Sequence, residues 1–277
     1  MDRVLHLVQK RARKPLLEVV TYQTGLEEKL QDFEWTVLSQ HHSEEVKIAG
    51  IAGVGGVGKT TLAKLFFNRK RSEYDRSCFL FDVREAASRG SLTSLQSKLY
   101  EDLTGQAQMM NSIDEGIAML KCHAPSSQVL AILDDVDSVE QLRALFSPLK
   151  DTLSSGSTIL VTSRNKDLLK NCDMKNSSIY NLKGLNREDS RELFCLHAFR
   201  QPNPVVGFEE VVSQFLDQCQ GLPLSLKVIG ALLYTESQDL GFWRDQLQKI
   251  LKYCPRIYKA DLKLVLIALM TKREIYS

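Results

Sequence analysis

The sequence predicts an α/β fold, a parallel sheet covered by helices, followed by a smaller and wholly helical region. Three observations carry that prediction. Short runs apolar on both faces recur at residues 48–51, 78–83, 129–133, 158–162 and 179–182, the signature of strands buried on both sides. Between them lie segments with apolar spacings of three and four, as alternation of strand and helix requires. After Gly184 the strand-like runs stop while helical periodicity goes on.

The elements follow in order. Residues 1–19 read as a basic leader carrying Arg3, Lys10, Arg11, Arg13 and Lys14, without the apolar core of a secretory signal. Leu26, Leu30, Phe33 and Val37 fall at helical spacing, with Glu27, Glu28, Lys29 and Asp32 on the other side. The polar stretch 39–45 ends that pattern. His41 and His42 are adjacent, so they face different ways and are expected as exposed loop residues, not a ligand pair.

The first strand, 48–51, is followed by a helix over 60–67, and the second strand is expected over 78–83. Leu92, Leu95, Leu99 and Leu103 mark an amphipathic helix; Ile113, Ile117 and Leu120 mark a shorter one. Strand 129–133 ends in Asp134-Asp135. Ser138 is expected to cap a helix through Val139, Leu142 and Leu145 that Pro148 stops. Strands 158–162 and 179–182 complete the sheet. Asn186 caps a helix through Leu193, Phe194 and Leu196, and helices are expected over 207–219, 223–235 and 240–252. A last run over 259–273 holds seven consecutive apolar residues, a face that needs a partner surface.

Composition narrows the function classes. With 36 basic and 34 acidic residues the net charge is +2, which argues against a dedicated nucleic-acid binder. No apolar run approaches the ~18 residues of a membrane helix, so stable membrane insertion is not expected. Six cysteines, Cys78, Cys122, Cys172, Cys195, Cys219 and Cys254, stand singly with no histidine at metal spacing. Scattered single thiols fit a reduced, cytoplasmic protein better than a disulfide frame.

The chemistry concentrates in four stretches. Gly53-Val54-Gly55-Gly56-Val57-Gly58-Lys59-Thr60-Thr61 fits G-x-x-x-x-G-K-[ST], a phosphate-binding P-loop, between an apolar run and a helix. Glycines there allow positive φ, so successive N–H groups can face phosphate oxygens, and the helix start adds its positive end. Lys59 can reach the β- and γ-phosphates, and the Thr60 hydroxyl can ligate Mg²⁺. Asp134 and Asp135 end a strand where α/β sheets place ligands. Asp134 would hold Mg²⁺ through water and Asp135 would polarise the attacking water; a turn plus helix cap is the plainer alternative. Asp137 reads as a turn or cap residue. Arg164, after Thr162-Ser163, brings a planar donor fork suited to a γ-phosphate. Cys219-Gln220-Gly221-Leu222-Pro223-Leu224 reads from its residues as one helix ending at Gly221 and another starting at Pro223.

The ordered set of these four stretches, the last continuing to Gly230, resembles the NB-ARC module of plant intracellular immune receptors, the NLR proteins, and of the apoptotic protease-activating factors. The resemblance covers about residues 20–255. Phe79-Leu80-Phe81-Asp82-Val83-Arg84-Glu85 and Tyr180-Asn181-Leu182-Lys183-Gly184-Leu185 resemble two lesser motifs of that family, and Asp137, where other members carry Trp, points to the TIR-associated subclass. The resemblance implies an ADP/ATP switch of the STAND class of P-loop NTPases in plant defence. By carry-over, Gly53, Gly55, Gly56, Val57, Gly58, Lys59, Thr60 and Thr61 hold phosphates and Mg²⁺, Asp134 and Asp135 serve metal and hydrolysis, Arg164 senses the γ-phosphate and Pro223 packs against adenine. Thr24-Gly25-Leu26-Glu27-Glu28 resembles the linker that contacts adenine in relatives.

The expected organisation is a basic leader (1–19), a P-loop domain with its linker (20–200), a helical ARC1-like domain (201–255) and the truncated start of a winged-helix domain (256–277). No room is expected before residue 20 for a signalling domain, and the family's later Met-His-Asp motif falls outside the chain. Slow Mg²⁺-dependent ATP hydrolysis at best is expected, together with protein partners: self-association or a full-length receptor. A turning-over AAA+-like ATPase and a non-catalytic interaction fragment are the competing readings.

Overall fold

The computed structural model describes residues 16–19, 22–38, 46–123, 125–170, 174, 178–234 and 239–253. The leader up to residue 15, His41, His42, Cys172, Cys254 and the apolar run 259–273 lie outside the described residues.

The chain enters through α1 (Leu26–Phe33), prolonged by a π-helical turn over Glu34–Leu38. Leu26, Leu30, Phe33 and Val37 are buried, as their spacing predicts. Then come β1 (Lys47–Ala52), α2 (Lys59–Lys70), β2 (Arg76–Leu80), α3 (Val83–Ser88), α4 (Leu92–Thr104) and α5 (Ile113–Cys122). The second strand is shorter than its apolar run. Asp82 adopts a left-handed φ of 46° and the chain turns there into α3, so Val83 starts a helix instead of ending a strand.

β3 (Val129–Leu133) precedes α6 (Val139–Gln141), where the Ser138 side chain accepts from the Gln141 N–H. Pro148 does not stop this helical stretch. The chain widens into a π-helical turn over Leu142–Phe146 and continues as α7 (Ser147–Thr152) with Pro148 in its first turn. A first-turn proline is tolerated because its missing N–H has no intrahelical acceptor to lose. β4 (Thr158–Ser163), α8 (Lys166–Lys170) and β5 (Ile179–Asn181) complete the α/β part.

The five strands run parallel in the order β2-β3-β4-β1-β5. β4 thus lies between β1 and β3, and its register brings Ile51 level with Thr162 and Leu133 level with Val161. Alternate side chains divide the core between two layers. Ala49, Ile51, Leu130, Ile132 and Leu160 face Leu30, Phe33, Leu62 and Phe66 of α1 and α2. Ala131, Leu133, Ile159 and Val161 face Leu95, Leu99, Leu120, Leu145 and Leu149 on the other side.

Beyond Leu182 the chain builds a separate helical cluster from α9 (Arg187–Phe199), α10 (Glu209–Cys219), α11 (Pro223–Tyr234) and α12 (Leu240–Tyr253). Trp243 at its centre is 1% exposed and packs among Phe194, Phe199, Phe208 and Phe215. Helix α9 precedes residue 201, yet Leu193, Phe194, Cys195 and Ala198 belong to this cluster. Its cap forms as predicted, Asn186 accepting from the Asp189 N–H.

Gly221 ties the segment leading into α9 to the start of α11. The Leu185 N–H donates to the Gly221 carbonyl at 2.8 Å. Gly221 has φ +74°, and a Cβ there would stand 2.3 Å from the Leu185 carbonyl oxygen. Both the left-handed backbone and the close approach demand glycine. Gly221→Ala should therefore lower stability by ~2 kcal/mol or more, read as a drop in the urea midpoint; an unchanged midpoint would remove Gly221 from the junction.

Candidate functional site

The loop after β1 is held at both ends by main chain. The Gly53 N–H donates to the Ser163 carbonyl at 3.3 Å, and the Leu62 N–H to the Gly58 carbonyl at 2.9 Å. Gly56 and Gly58 have φ of +78° and +104°, a turn that side chains resist. The N-terminus of α2 has no side-chain cap, which leaves first-turn N–H groups for an anion. Lys59 is buried at 7% exposure and donates to the carbonyls of Gly53 at 2.8 Å and Val54 at 3.0 Å. Burial pulls its ammonium down to about 8, against the attraction of Asp135 and Asp134.

Asp134 has no solvent exposure, and its carboxylate accepts from hydroxyls. Thr162 Oγ1 donates to Oδ1 at 2.7 Å, and Thr60 Oγ1 lies 3.0 and 2.9 Å from the two oxygens. Burial raises its pKa and the two hydroxyls oppose that rise. The Thr162 hydroxyl also accepts the Asp135 N–H at 2.9 Å, so one side chain of β4 joins both acids.

Asp135 itself has φ 56° and turns its carboxylate to two guanidiniums. Arg84 Nε lies 2.9 Å from Oδ2, and Arg164 Nε lies 3.3 Å from Oδ1. Arg164 also rests on the loop, with Nη1 3.3 Å from where a Gly55 Cβ would stand. Asp137 takes the turn role: its N–H and carboxylate bond the Gln141 side chain at 2.9 and 2.8 Å.

The helical cluster closes the site. Leu224, at the start of α11, donates its N–H to the Gly56 carbonyl at 3.2 Å and packs against Gly56. One cavity of about 340 Å³ is lined by Gly55, Gly56, Gly58, Lys59, Thr60 and Thr61 of the loop. Asp135, Arg164 and Pro223 complete that wall, so most of the sequence-predicted residues meet in one place. Gly53 and Val57 do not line it: a Gly53 Cβ would face the Leu182 carbonyl at 2.9 Å, and Val57 is buried in the core under the loop. Asp134 sits behind Thr60.

The Thr24–Glu28 stretch lies elsewhere. Gly25, Glu28 and Lys29 line a second cavity of about 380 Å³ with Tyr180, Lys183 and Asp189. Lys29 Nζ there donates to the carbonyls of Lys183 at 2.7 Å and Gly184 at 3.0 Å. Four residues of the first cavity, Asp82, Arg84, Leu224 and Lys227, are not among the sequence-predicted site residues. Two signals were present. Asp82 and Arg84 stand in the quoted 79–85 motif, and Lys227 follows Pro223 by four residues, hence on the same helix face. Burial holds the Lys227 pKa below its ordinary value.

Comparison with known proteins bears on this geometry. The NB-ARC domain model matches residues 28–203. Disease resistance protein RUN1 of Vitis rotundifolia is 36% identical over 228 residues, covering 82% of this chain and 17% of RUN1. Disease resistance protein RPV1 of the same species is 37% identical over 210 residues, covering 75% and 15%. TMV resistance protein N of Nicotiana glutinosa is 35% identical over 195 residues, covering 68% and 16%. The chain thus spans only 15% to 17% of the length of these curated relatives. Among solved structures, Cdc6p from Pyrobaculum aerophilum overlays with a TM-score of 0.51 at 13% identity, covering 82% of this chain and 64% of that one, a likeness of fold.

The bridge between the acids is open to test. Thr162→Val keeps the shape but deprives the buried Asp134 carboxylate and the Asp135 N–H of a partner. The expected cost is about 1–3 kcal/mol, measured by urea denaturation. A midpoint within error of the wild type would overturn the bridging role.

Proposed function

Because the chain belongs to the NB-ARC family, a family of nucleotide-binding modules, we propose that it binds ADP and ATP with Mg²⁺ as the switch module of a plant immune receptor. The observation that carries this reading is the single cavity in which the P-loop, Asp135, Arg164 and Pro223 meet. Its chemistry suits a phosphorylated ligand: uncapped amides of α2, two lysines and two arginines line one space.

The residues fit the implied metal as well. Mg²⁺ is held by one or two protein oxygens while phosphate and water supply the rest. Thr60 Oγ1 beside the hydroxyl-bonded Asp134 carboxylate is such a pair. When bound, the ion would neutralise phosphate charge. Lys59 would turn from the Gly53 and Val54 carbonyls to the phosphates, and Gly55, Gly56, Gly58, Thr60 and Thr61 would line their path. Arg164 would read a γ-phosphate and Pro223 would pack against the base. Asp135 would orient water for hydrolysis. We expect turnover to be slow, since the Arg84 guanidinium keeps one of its oxygens engaged.

We also propose two units with their boundary at Gly184; that α9 shares its core with α10, α11 and α12 supports this division. Protein partners and a cytoplasmic setting are part of the proposal. Among the described residues no helix is long and apolar enough to cross a membrane.

Calorimetric titration of Mg-ADP and Mg-ATP into wild type and Lys59→Ala tests the reading. Binding by the wild type that weakens at least about tenfold in the variant is expected, the usual consequence of truncating a buried charge partner. Absence of wild-type binding, or equal binding by both proteins, would overturn it.

A further inference from the structure

Asp135 is the meeting point of two arginines that are not equivalent. Arg84 comes from the start of α3, and this segment is tied to the acidic pair by main chain: the N–H groups of Val83 and Arg84 donate to the carbonyls of Asp134 at 2.9 Å and Asp135 at 3.2 Å. Its Nε is also the nearer, at 2.9 Å from Asp135. Arg164 follows the end of β4, stands at 3.3 Å, is the more exposed of the two at 49% against 40%, and leans on the P-loop at Gly55. Either guanidinium alone can pair with Asp135, and the one nearer the loop is the one placed to leave.

We propose that Arg84 is a positioning residue that keeps Asp135 seated and neutralised, so that Arg164 can turn from Asp135 to the terminal phosphate of a nucleoside triphosphate. The inference rests on the nucleotide site argued above and adds the reason why that site tells a triphosphate from a diphosphate. Without Arg84, Asp135 has Arg164 as its remaining guanidinium, and moving Arg164 away would strand a mostly buried carboxylate, whose side chain is 14% exposed. The cost falls on ATP alone, because ADP offers no phosphate that requires the move.

The test is calorimetric titration of Mg-ADP and Mg-ATP into the full chain as wild type, Arg84→Ala, Asp135→Asn and the double variant. Arg84→Ala should weaken ATP about tenfold while leaving ADP within about twofold, a coupling of ordinary size between linked groups. In the Asp135→Asn background the same substitution should leave the ATP-to-ADP ratio unchanged, since no charge remains there to hold Arg164. A ratio of affinities measured on one preparation is insensitive to the fraction folded. If Arg84→Ala does not fold, Arg84→Gln carries the same comparison. An ATP loss that persists in the Asp135→Asn background would make Arg84 a direct phosphate ligand and overturn the proposal. So would equal losses for both nucleotides, or an unchanged ratio in Arg84→Ala. Wild-type protein that binds neither nucleotide would instead overturn the site reading, and this inference with it.

Discussion

A carboxyl group without solvent exposure is costly unless its oxygens are bonded, and Asp134 is such a group. Its partners are the hydroxyls of Thr162 on β4 and Thr60 on α2, while its N–H and carbonyl bond Leu80 and Val83. Those contacts require β4 to lie between β1 and β3, with strand ends at one level. The register supplies this, pairing Ile51 with Thr162 and Leu133 with Val161. Loop, acids and Arg164 therefore share one edge of the sheet, and the polar network there is satisfied largely by itself.

The helical cluster is joined to that edge at the turn before α11. Leu224 N–H reaches Gly56, and Leu222 just before α11 is buried with Leu182 in the core on the α1 and α2 side of the sheet. Gly56 belongs to the phosphate loop, so a displacement of the loop must move α11 or break that bond. Close glycine approaches on both sides make the junction intolerant of side chains, and the link between site and helices is short.

Much of this was legible from residue pattern. The strands at Ile48, Val129 and Thr158 announced themselves because runs apolar on both faces have no place except inside a covered sheet. Ser138 and Asn186 cap helices as their positions predicted, since their side-chain bonds are local. Pro148 misled because its effect depends on the preceding turn: a π-helical widening over Leu142–Phe146 lets the helical path continue. Val83 misled because an apolar residue after Phe81 looks like more strand, whereas Asp82 takes a left-handed turn that no periodicity reveals. Val57 and Gly53 matched the phosphate motif by position, but one is packed into the core and the other is crowded by the Leu182 carbonyl.

The sequence by itself determined the fold class, the glycine-rich loop, the acidic strand end and the family, because these depend on short-range spacing and local backbone preference. Tertiary structure decided which of those residues meet. Strand order set Arg84 and Arg164 on opposite oxygens of Asp135, placed Asp134 behind Thr60, and brought Leu224 and Lys227 over the loop. These contacts join residues far apart along the chain, so their energies depend on packing and charge across elements, which local spacing does not encode.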